Sequence, residues 1–466
     1  MMRPSSRVAT RAHDIRGVLV EPLKNASLRD SEFLDREHLD AELTRVFEKC
    51  HDCRRCLPLC PSFPSLFDAI DRHEQVASEL SSEERREVVD LCYQCKLCYN
   101  HCPYHPDHEW AIDFPKLMTR AKLVQASEEG LPLSERIGAQ QDLMGKVSCR
   151  TAALTNTAFK NRAVRLLMEK TTGIDRRWIM PTYEKQPFSK TLVKRSPIES
   201  ERARVILFST CFVEYGEAQT AMAAVEILEH NGIRVEAGYD ACCGAPFLHG
   251  GDLASARKNA LKVVSGLAPR IRDGLQVIVP GPTCSYQLKK EFPELLDSDD
   301  ARLVAENTVD LGEYIFNIAA AKDLDRNFKR KFGRIAYHLP CHLKAQNIGF
   351  RSKQILGLIA DEVVMIDACS GVDGTWGMKA RFYERSLKIC SNLTKAISEA
   401  EADEVATDCP LSALRIKEET GRSAVHPVVL LRDAYGLGQG LGQGLRDRTE
   451  RPEESVESKG KRDAQD

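Results

Sequence analysis

Eight of the 17 cysteines in this 466-residue chain fall between Cys50 and Cys102. They form two runs. The first is Cys50, Cys53, Cys56 and Cys60, followed by Pro61; the second is Cys92, Cys95, Cys98 and Cys102, followed by Pro103. Both read C-x2-C-x2-C-x3-C-P, a ligand spacing of proteins with two [4Fe–4S] clusters. Three thiolates three residues apart can wrap a tight turn around three irons of a cubane, and the fourth iron takes a cysteine from elsewhere. In duplicated runs that fourth cysteine ligates the other cluster. The spacing therefore assigns Cys50, Cys53, Cys56 and Cys102 to one cluster and Cys92, Cys95, Cys98 and Cys60 to the second. Pro61 and Pro103 lack an N–H and stop a helix from running on through the ligand. Zinc sites favour separated C-x2-C pairs, which these runs do not resemble.

Seven further cysteines fall into two related sets: Cys211, Cys242, Cys243 and Cys284, then Cys341, Cys369 and Cys409. Equivalent positions are separated by 130, 127 and 125 residues. The local contexts match as well, Cys242-Cys243-Gly244 against Cys369-Ser370-Gly371 and Pro282-Thr283-Cys284 against Thr407-Asp408-Cys409. Two repeated units are expected.

The elements that must position these thiols are legible in the hydrophobic periodicity. Between the two ferredoxin-type runs, Leu66, Ile70, Val76, Leu80, Val88 and Leu91 have helical spacing and predict two short helices. Residues 116–198 read as amphipathic helices, with Phe159, Ala163, Leu166 and Leu167 on one face. From residue 202 strands and helices alternate. Strands are expected at 204–209, 234–239 and 276–279, with helices at 218–230 and 253–272. The pattern returns with strands at 334–339, 363–367 and 404–407 and helices at 352–360 and 381–400. Such alternation implies parallel sheets covered on both faces. Each cysteine set then follows strand ends, where α/β proteins place ligands. The expected fold is multidomain: an arm (1–40), a helical two-cluster ferredoxin module (41–115), a helical linker (116–198), two tandem α/β units (199–330 and 331–435) and a disordered tail (436–466).

Composition narrows the function. Lys plus Arg is 66 and Asp plus Glu is 68, a net charge of −2, without the basic excess that nucleic-acid binding needs. No apolar run reaches membrane-spanning length, and residues 1–12 lack the apolar core of a secretory signal. A cytoplasmic chain with reduced thiols is expected, because clustered cysteines there read as metal-binding rather than disulfide-bonded. No Walker loop, dinucleotide fingerprint, G-x-S-x-G or H-E-x-x-H motif is present. Cys149 and Cys390 read as buried apolar fillers. His249 and His342 lie beside the second cysteine sets and read as structural histidines; the competing reading has either one hydrogen-bond a sulfur or shuttle a proton. Gly371, Gly374 and Gly377 read as a tight loop that brings backbone N–H groups to a ligand. The amphipathic stretch 134–180 is expected to pack on the α/β units; the competing reading lays it on a membrane through its Arg, Lys and Trp178.

The duplicated Cys…Cys-Cys-Gly…Cys arrangement after a two-cluster module resembles the cysteine-rich CCG iron–sulfur proteins. That family includes heterodisulfide reductase, glycolate oxidase iron–sulfur subunits and the iron–sulfur subunits of anaerobic glycerol-3-phosphate dehydrogenase. The segments carrying the likeness are Gly281 to Tyr286, Leu339 to Gln346 and Cys369 to Lys379. The resemblance implies an electron-transfer subunit with no organic-substrate site of its own. Its donor would be a flavoprotein dehydrogenase subunit, and its acceptor quinone at the inner face of the cytoplasmic membrane. It also implies a cofactor role for Cys211, Cys242, Cys243, Cys284, Cys341, Cys369 and Cys409. Two alternatives stay open: a thiol or heterodisulfide reductase using these cysteines, and a soluble relay to a peroxide-detoxifying protein. The chain departs from the full heterodisulfide-type pattern. Gln287 and Ser412 stand where a final Cys-x-x-Cys would end, and Ser370 stands opposite Cys243. A third iron–sulfur cluster is therefore expected, if anywhere, in the first unit.

Overall fold

A computed structural model describes residues 12–13, 19–193 and 200–437. Most of the expected arm before residue 19 and the expected tail beyond Leu437 lie outside the described residues. The ferredoxin module is built from helices Arg36–Cys53, Ser62–Arg72 and Ser82–Leu91. Its core is Leu39, Val46, Phe47, Phe63, Leu66, Phe67 and Val88, with Cys50, Cys56, Cys60, Cys98 and Cys102 packed on its edge. A capping box, Ser81 with Glu84, starts the third helix by satisfying two of its free N–H groups. Helix Phe114–Glu129 belongs to the same core through Leu117, Met118, Ala121 and Val124. The boundary expected at 115/116 thus cuts a helix whose inner face completes the ferredoxin module. The boundary at 40/41 likewise falls inside helix Arg36–Cys53.

Two four-stranded parallel sheets follow. In space the first runs Ile233–Ala237, Ala203–Leu207, Gln276–Val279, Thr308–Asp310. The second runs Ala360–Ile366, Phe332–His338, Glu404–Thr407, Ala424–Val425. Both have the strand order 2-1-3-4, so the repeat seen in the cysteines is a repeat of topology. The fourth strands went unpredicted, because three and two residues are too short to show a period. The helix expected at 352–360 ends at Leu356, and Ala360 already begins a strand. One continuous core spans both units, from Val205, Ile227 and Leu228 to Ile335, Tyr337 and Leu431. Helix Pro427–Tyr435 of the second unit packs on helix Ala218–His230 of the first. This shared core turns the strand ends of the two sheets toward each other.

The linker packs on the α/β units, as expected, through Cys149, whose thiol meets the Tyr215 carbonyl oxygen, and Asp142, which accepts from the Tyr215 and Tyr239 hydroxyls. Part of its apolar surface stays open, with Leu143 58% exposed, Val147 53%, Leu154 71% and Leu167 62%. In helix Arg162–Thr172 the residue that turns inward is Arg165. Its guanidinium donates to the carbonyl oxygens of Asp175 and Trp178 at 2.8 and 2.9 Å. The Arg176 carbonyl oxygen is a third acceptor on that side, and satisfied donors are what let a cation be buried. Trp178 is not a surface anchor either. It is buried beneath the Arg415 guanidinium, 4.8 Å from its ring centroid.

Candidate iron–sulfur and cysteine-rich site

Local backbone geometry explains how the first eight thiols gather. Cys50 and Cys53 end helix Arg36–Cys53, and Arg54 at φ 49° turns the chain so that Cys56 faces back. Cys92 caps helix Ser82–Leu91. Gln94 and Lys96, at φ 61° and 64°, sit in the left-handed region on either side of Cys95. Non-glycine residues pay about 1–2 kcal/mol each for that conformation, the kind of strain that clusters at functional sites. Helix Leu97–His101 then carries Cys98 and ends at Cys102.

The thiols sort into two groups. Burial pushes the Cys50 thiol well up, followed by Cys56, Cys102 and Cys53. Burial and then Cys102 and Cys53 push Cys56 up to about 12. Cys98 is raised by burial and then by Cys95, Cys92 and Cys60. Cys60 is raised by burial and then by Cys92. Each run's fourth cysteine therefore stands with the other run's first three. Thiols packed this way resist ionisation until a cation takes the charge, and iron supplies it; metal binding releases their protons. Among the described residues no three His, Cys, Asp or Glu side chains close around a single ion. A cubane spreads its ligands wider than the roughly 2.3 Å shell of one zinc. The donor set fits two [4Fe–4S] clusters.

The second constellation forms at the strand ends. Cys211 follows strand Ala203–Leu207, Cys242 and Cys243 follow Ile233–Ala237, and Cys284 lies in the turn of helix after Gln276–Val279. Their thiols stand close enough to shift one another: Cys242 is held below its ordinary range chiefly by Cys211 and Cys243, and Cys243 is raised chiefly by Cys242 and Cys284. Thr210, beside Cys211, is a β-branched residue at φ 65°, an outlier. After Cys284 the helix opens into a π-turn, Gln287–Glu291, and the buried Gln287 Nε2 has no partner. Four converging thiols fit an iron–sulfur cluster.

The second unit is different. Ser370 and Ser412 occupy the two places where further cysteines would stand, and their hydroxyls bond each other at 2.9 Å. Cys341, Cys369 and Cys409 remain. Cys369 Sγ accepts from the Gly371 N–H at 3.3 Å and lies 3.4 Å from the Tyr93 hydroxyl. Gly371 is required here: its φ is +69°, and a Cβ would lie 2.3 Å from the Ser386 carbonyl oxygen. Tyr93 sits between Cys92 and Cys95 and packs on Trp376, with ring centroids 4.9 Å apart. One apolar cluster joins Cys60 and Cys95 to Cys341 and Cys369.

Buried polar residues seal this junction. Lys96 pairs with Glu291 at 3.0 Å and donates to Gln94 Oε1 at 3.0 Å. Burial opposes its charge, but Glu291 and Tyr286 hold the ammonium above its ordinary range. Removing the ammonium strands Glu291 in a largely buried place. Lys96→Met is therefore expected to cost about 3 kcal/mol, read as a lower urea midpoint of the cluster-loaded chain and restored in part by adding Glu291→Gln. His342 is a satisfied structural histidine, with Nδ1 2.8 Å from Thr283 Oγ1 and Nε2 3.0 Å from Gln94 O. Cys149 and Cys390 are buried fillers, as their helical positions suggest.

Between the units lies a cleft of about 130 Å³, lined by Cys211, Cys242, Cys243, Cys284 and Cys409 on one side. Met144, Ile174, Trp178, Met180, Met378 and Leu414 line the other. The linker thus supplies much of the apolar wall, which sequence reasoning missed. It also missed Tyr93, Lys96 and Asp373, although Tyr93 and Lys96 stand inside the second cysteine run.

Comparison with known families bears on both sets of thiols. A 4Fe-4S dicluster domain matches residues 42–105, and a cysteine-rich domain matches twice, at 205–289 and 335–417. The chain thus carries a 4Fe-4S dicluster domain followed by two cysteine-rich CCG domains. It is similar to a subunit of the anaerobic glycerol-3-phosphate dehydrogenase of Escherichia coli K12, with 29% identity over 298 residues, 63% of this chain and 75% of that one. Lactate utilization protein A of Bacillus cytotoxicus is 27% identical over 187 residues, 38% of this chain and 75% of its own. A subunit of the fumarate reductase (CoM/CoB) of Methanothermobacter marburgensis is 26% identical over 239 residues, 49% of this chain and 45% of its own. The CCG architecture here is a helical ferredoxin-like region joined to two α/β cysteine-rich units. No described helix is long and apolar enough to cross a membrane.

Proposed function

We propose that the chain is the iron–sulfur electron-transfer subunit of a dehydrogenase complex, passing electrons from a flavoprotein partner to a quinone. One observation carries this reading: the Cys92 group, and not the Cys50 group, adjoins the second α/β unit, where one apolar cluster joins Cys60 and Cys95 to Cys341 and Cys369 and the Tyr93 hydroxyl lies 3.4 Å from Cys369 Sγ. The Cys50 group would hold one cluster and the Cys92 group a second, nearer the α/β units. Their clusters, when bound, supply one-electron steps; the chain holds them in order and tunes them by burial and hydrogen bonds. The missing Cys-x-x-Cys ends weigh against the thiol-reductase alternative. The similarity to the glycerol-3-phosphate dehydrogenase subunit supports glycerol 3-phosphate as the ultimate donor.

Membrane contact at the inner leaflet fits the exposed linker face. Leu143, Val147, Leu154 and Leu167 project alongside Arg150, Lys160 and Arg162, the composition of a surface that sits on anionic lipid. Changing Leu143 and Leu167 to Asp is expected to weaken binding to phosphatidylglycerol vesicles at least roughly tenfold, read by co-sedimentation. Equal sedimentation would remove the membrane from this reading. The electron-transfer role itself is tested by reducing the clusters of the anaerobic chain and adding a short-chain quinone. Rapid cluster reoxidation is expected, and clusters that stay reduced would overturn the quinone as acceptor.

A further inference from the structure

The apolar cleft has a second cleft behind it. This one is polar, about 540 Å³, and lined by Arg86, Asp90, Lys122, Glu129, Glu135 and Lys379 among others. Pro246, His249, Asp373, Gly374 and Thr375 border both clefts and form the wall between them. Asp373 is the unusual member. It is 6% exposed, and its Oδ2 has no hydrogen-bond partner. A buried oxygen left unpaired costs about 1–3 kcal/mol, so packing alone does not account for it. His342 Nε2 is 3.9 Å from Oδ2, but that nitrogen is already turned to the Gln94 carbonyl.

We infer that Asp373 is the proton donor to the acceptor reduced in the apolar cleft, and that it is recharged from the polar cleft past His249. The inference rests on the reading that a quinone is reduced there. Such an acceptor takes two electrons, delivered singly through the clusters, and two protons, and its two carbonyl oxygens become hydroxyls. One proton leaves the Asp373 carboxyl for the near carbonyl oxygen, and the carboxylate regains a proton from water in the polar cleft. The second proton reaches the far oxygen from water at the mouth of the apolar cleft. A cleft walled by Met144, Ile174, Trp178 and Met180 excludes the bulk water that would otherwise protonate the near oxygen, which is why a fixed donor is needed. Burial raises the Asp373 carboxyl, opposed by His342, Lys96 and Lys122, so a protonated form is within reach. His249, on the same wall, is held neutral chiefly by burial, a state that can take a proton from one side and give one to the other.

The test uses the full, cluster-loaded chain carrying Asp373→Asn, which keeps the shape and cannot release a proton. Reduced clusters are reoxidised by two acceptors in parallel, ferricyanide, which takes one electron and no proton, and a short-chain quinone. Asp373→Asn should slow quinone reduction roughly a hundredfold while ferricyanide reduction and the EPR spectrum stay as in the parent. Asp373→Glu should recover part of the quinone rate. Parent-like quinone reduction by Asp373→Asn overturns the inference, and so does an equal loss with both acceptors, which would mark a structural role. If the unaltered chain reduces ferricyanide but not quinone, it is the acceptor reading that has failed.

Discussion

Cys60→Ala is expected to remove the cluster built on Cys92, Cys95 and Cys98 and to spare the one built on its own sequence neighbours. Anaerobic iron analysis of the ferredoxin module should fall from about eight irons to about four. The EPR signal of the surviving cluster should be that of the Cys50 group. The reason is spatial. The largest influence on the Cys60 thiol after burial is Cys92, and Cys369 is also near, while none of the Cys50 group is among its principal neighbours. Cys102, from the second run, stands instead with Cys53 and Cys56. The same change should abolish electron transfer to the cleft, because the Cys92 group is the one that Tyr93 and the apolar contacts of Cys60 and Cys95 join to the second α/β unit. Loss of the Cys50 signal with the other intact would show that each run ligates its own cluster. Stoichiometric zinc in place of iron would end the iron–sulfur assignment.

The second large effect separates the two α/β units. Cys243→Ser is expected to remove iron and a distinct EPR signal, whereas Cys369→Ser should leave the iron count unchanged. Cys243 stands among the four thiols of the first unit, with Cys242 and Cys284 the largest influences on it. A serine oxygen there is a hard donor in a site that selects soft sulfur. In the second unit that exchange is already present. Ser370 and Ser412 bond each other, leaving three thiols, one of which is turned to Tyr93. Cys369→Ser should therefore show itself differently, as a shifted potential or line shape of the neighbouring Cys92-group cluster, since hydrogen bonds around a cluster tune it. If Cys369→Ser is the change that costs iron, the two units share one site across the cleft.

The eight ferredoxin-type cysteines, their crossed pairing and the duplicated α/β pattern could be written down from the sequence. All three depend on local rules. Ligand spacing is fixed by the turn that wraps a cubane, and strand and helix periods are fixed by which side chains can share a face. Helices 218–230 and 253–272 and strands 276–279 and 404–407 accordingly have the bounds that periodicity gave them. Two-residue and three-residue edge strands escape periodicity, because nothing repeats within them. What only the tertiary structure decided is which surfaces meet. Periodicity says that Leu143, Val147 and Leu167 lie on an apolar face but not whether a neighbour covers it, and here none of the described elements does. Arg165 looks like a surface residue until three carbonyl oxygens from residues 175–178 converge on it. Asp373 lies in a glycine-rich loop that marks close backbone approach, yet its importance comes from facing two clefts at once, a property of contacts between residues more than a hundred positions apart. Burial and charge compensation are set by the whole packed assembly, so no window of sequence contains them.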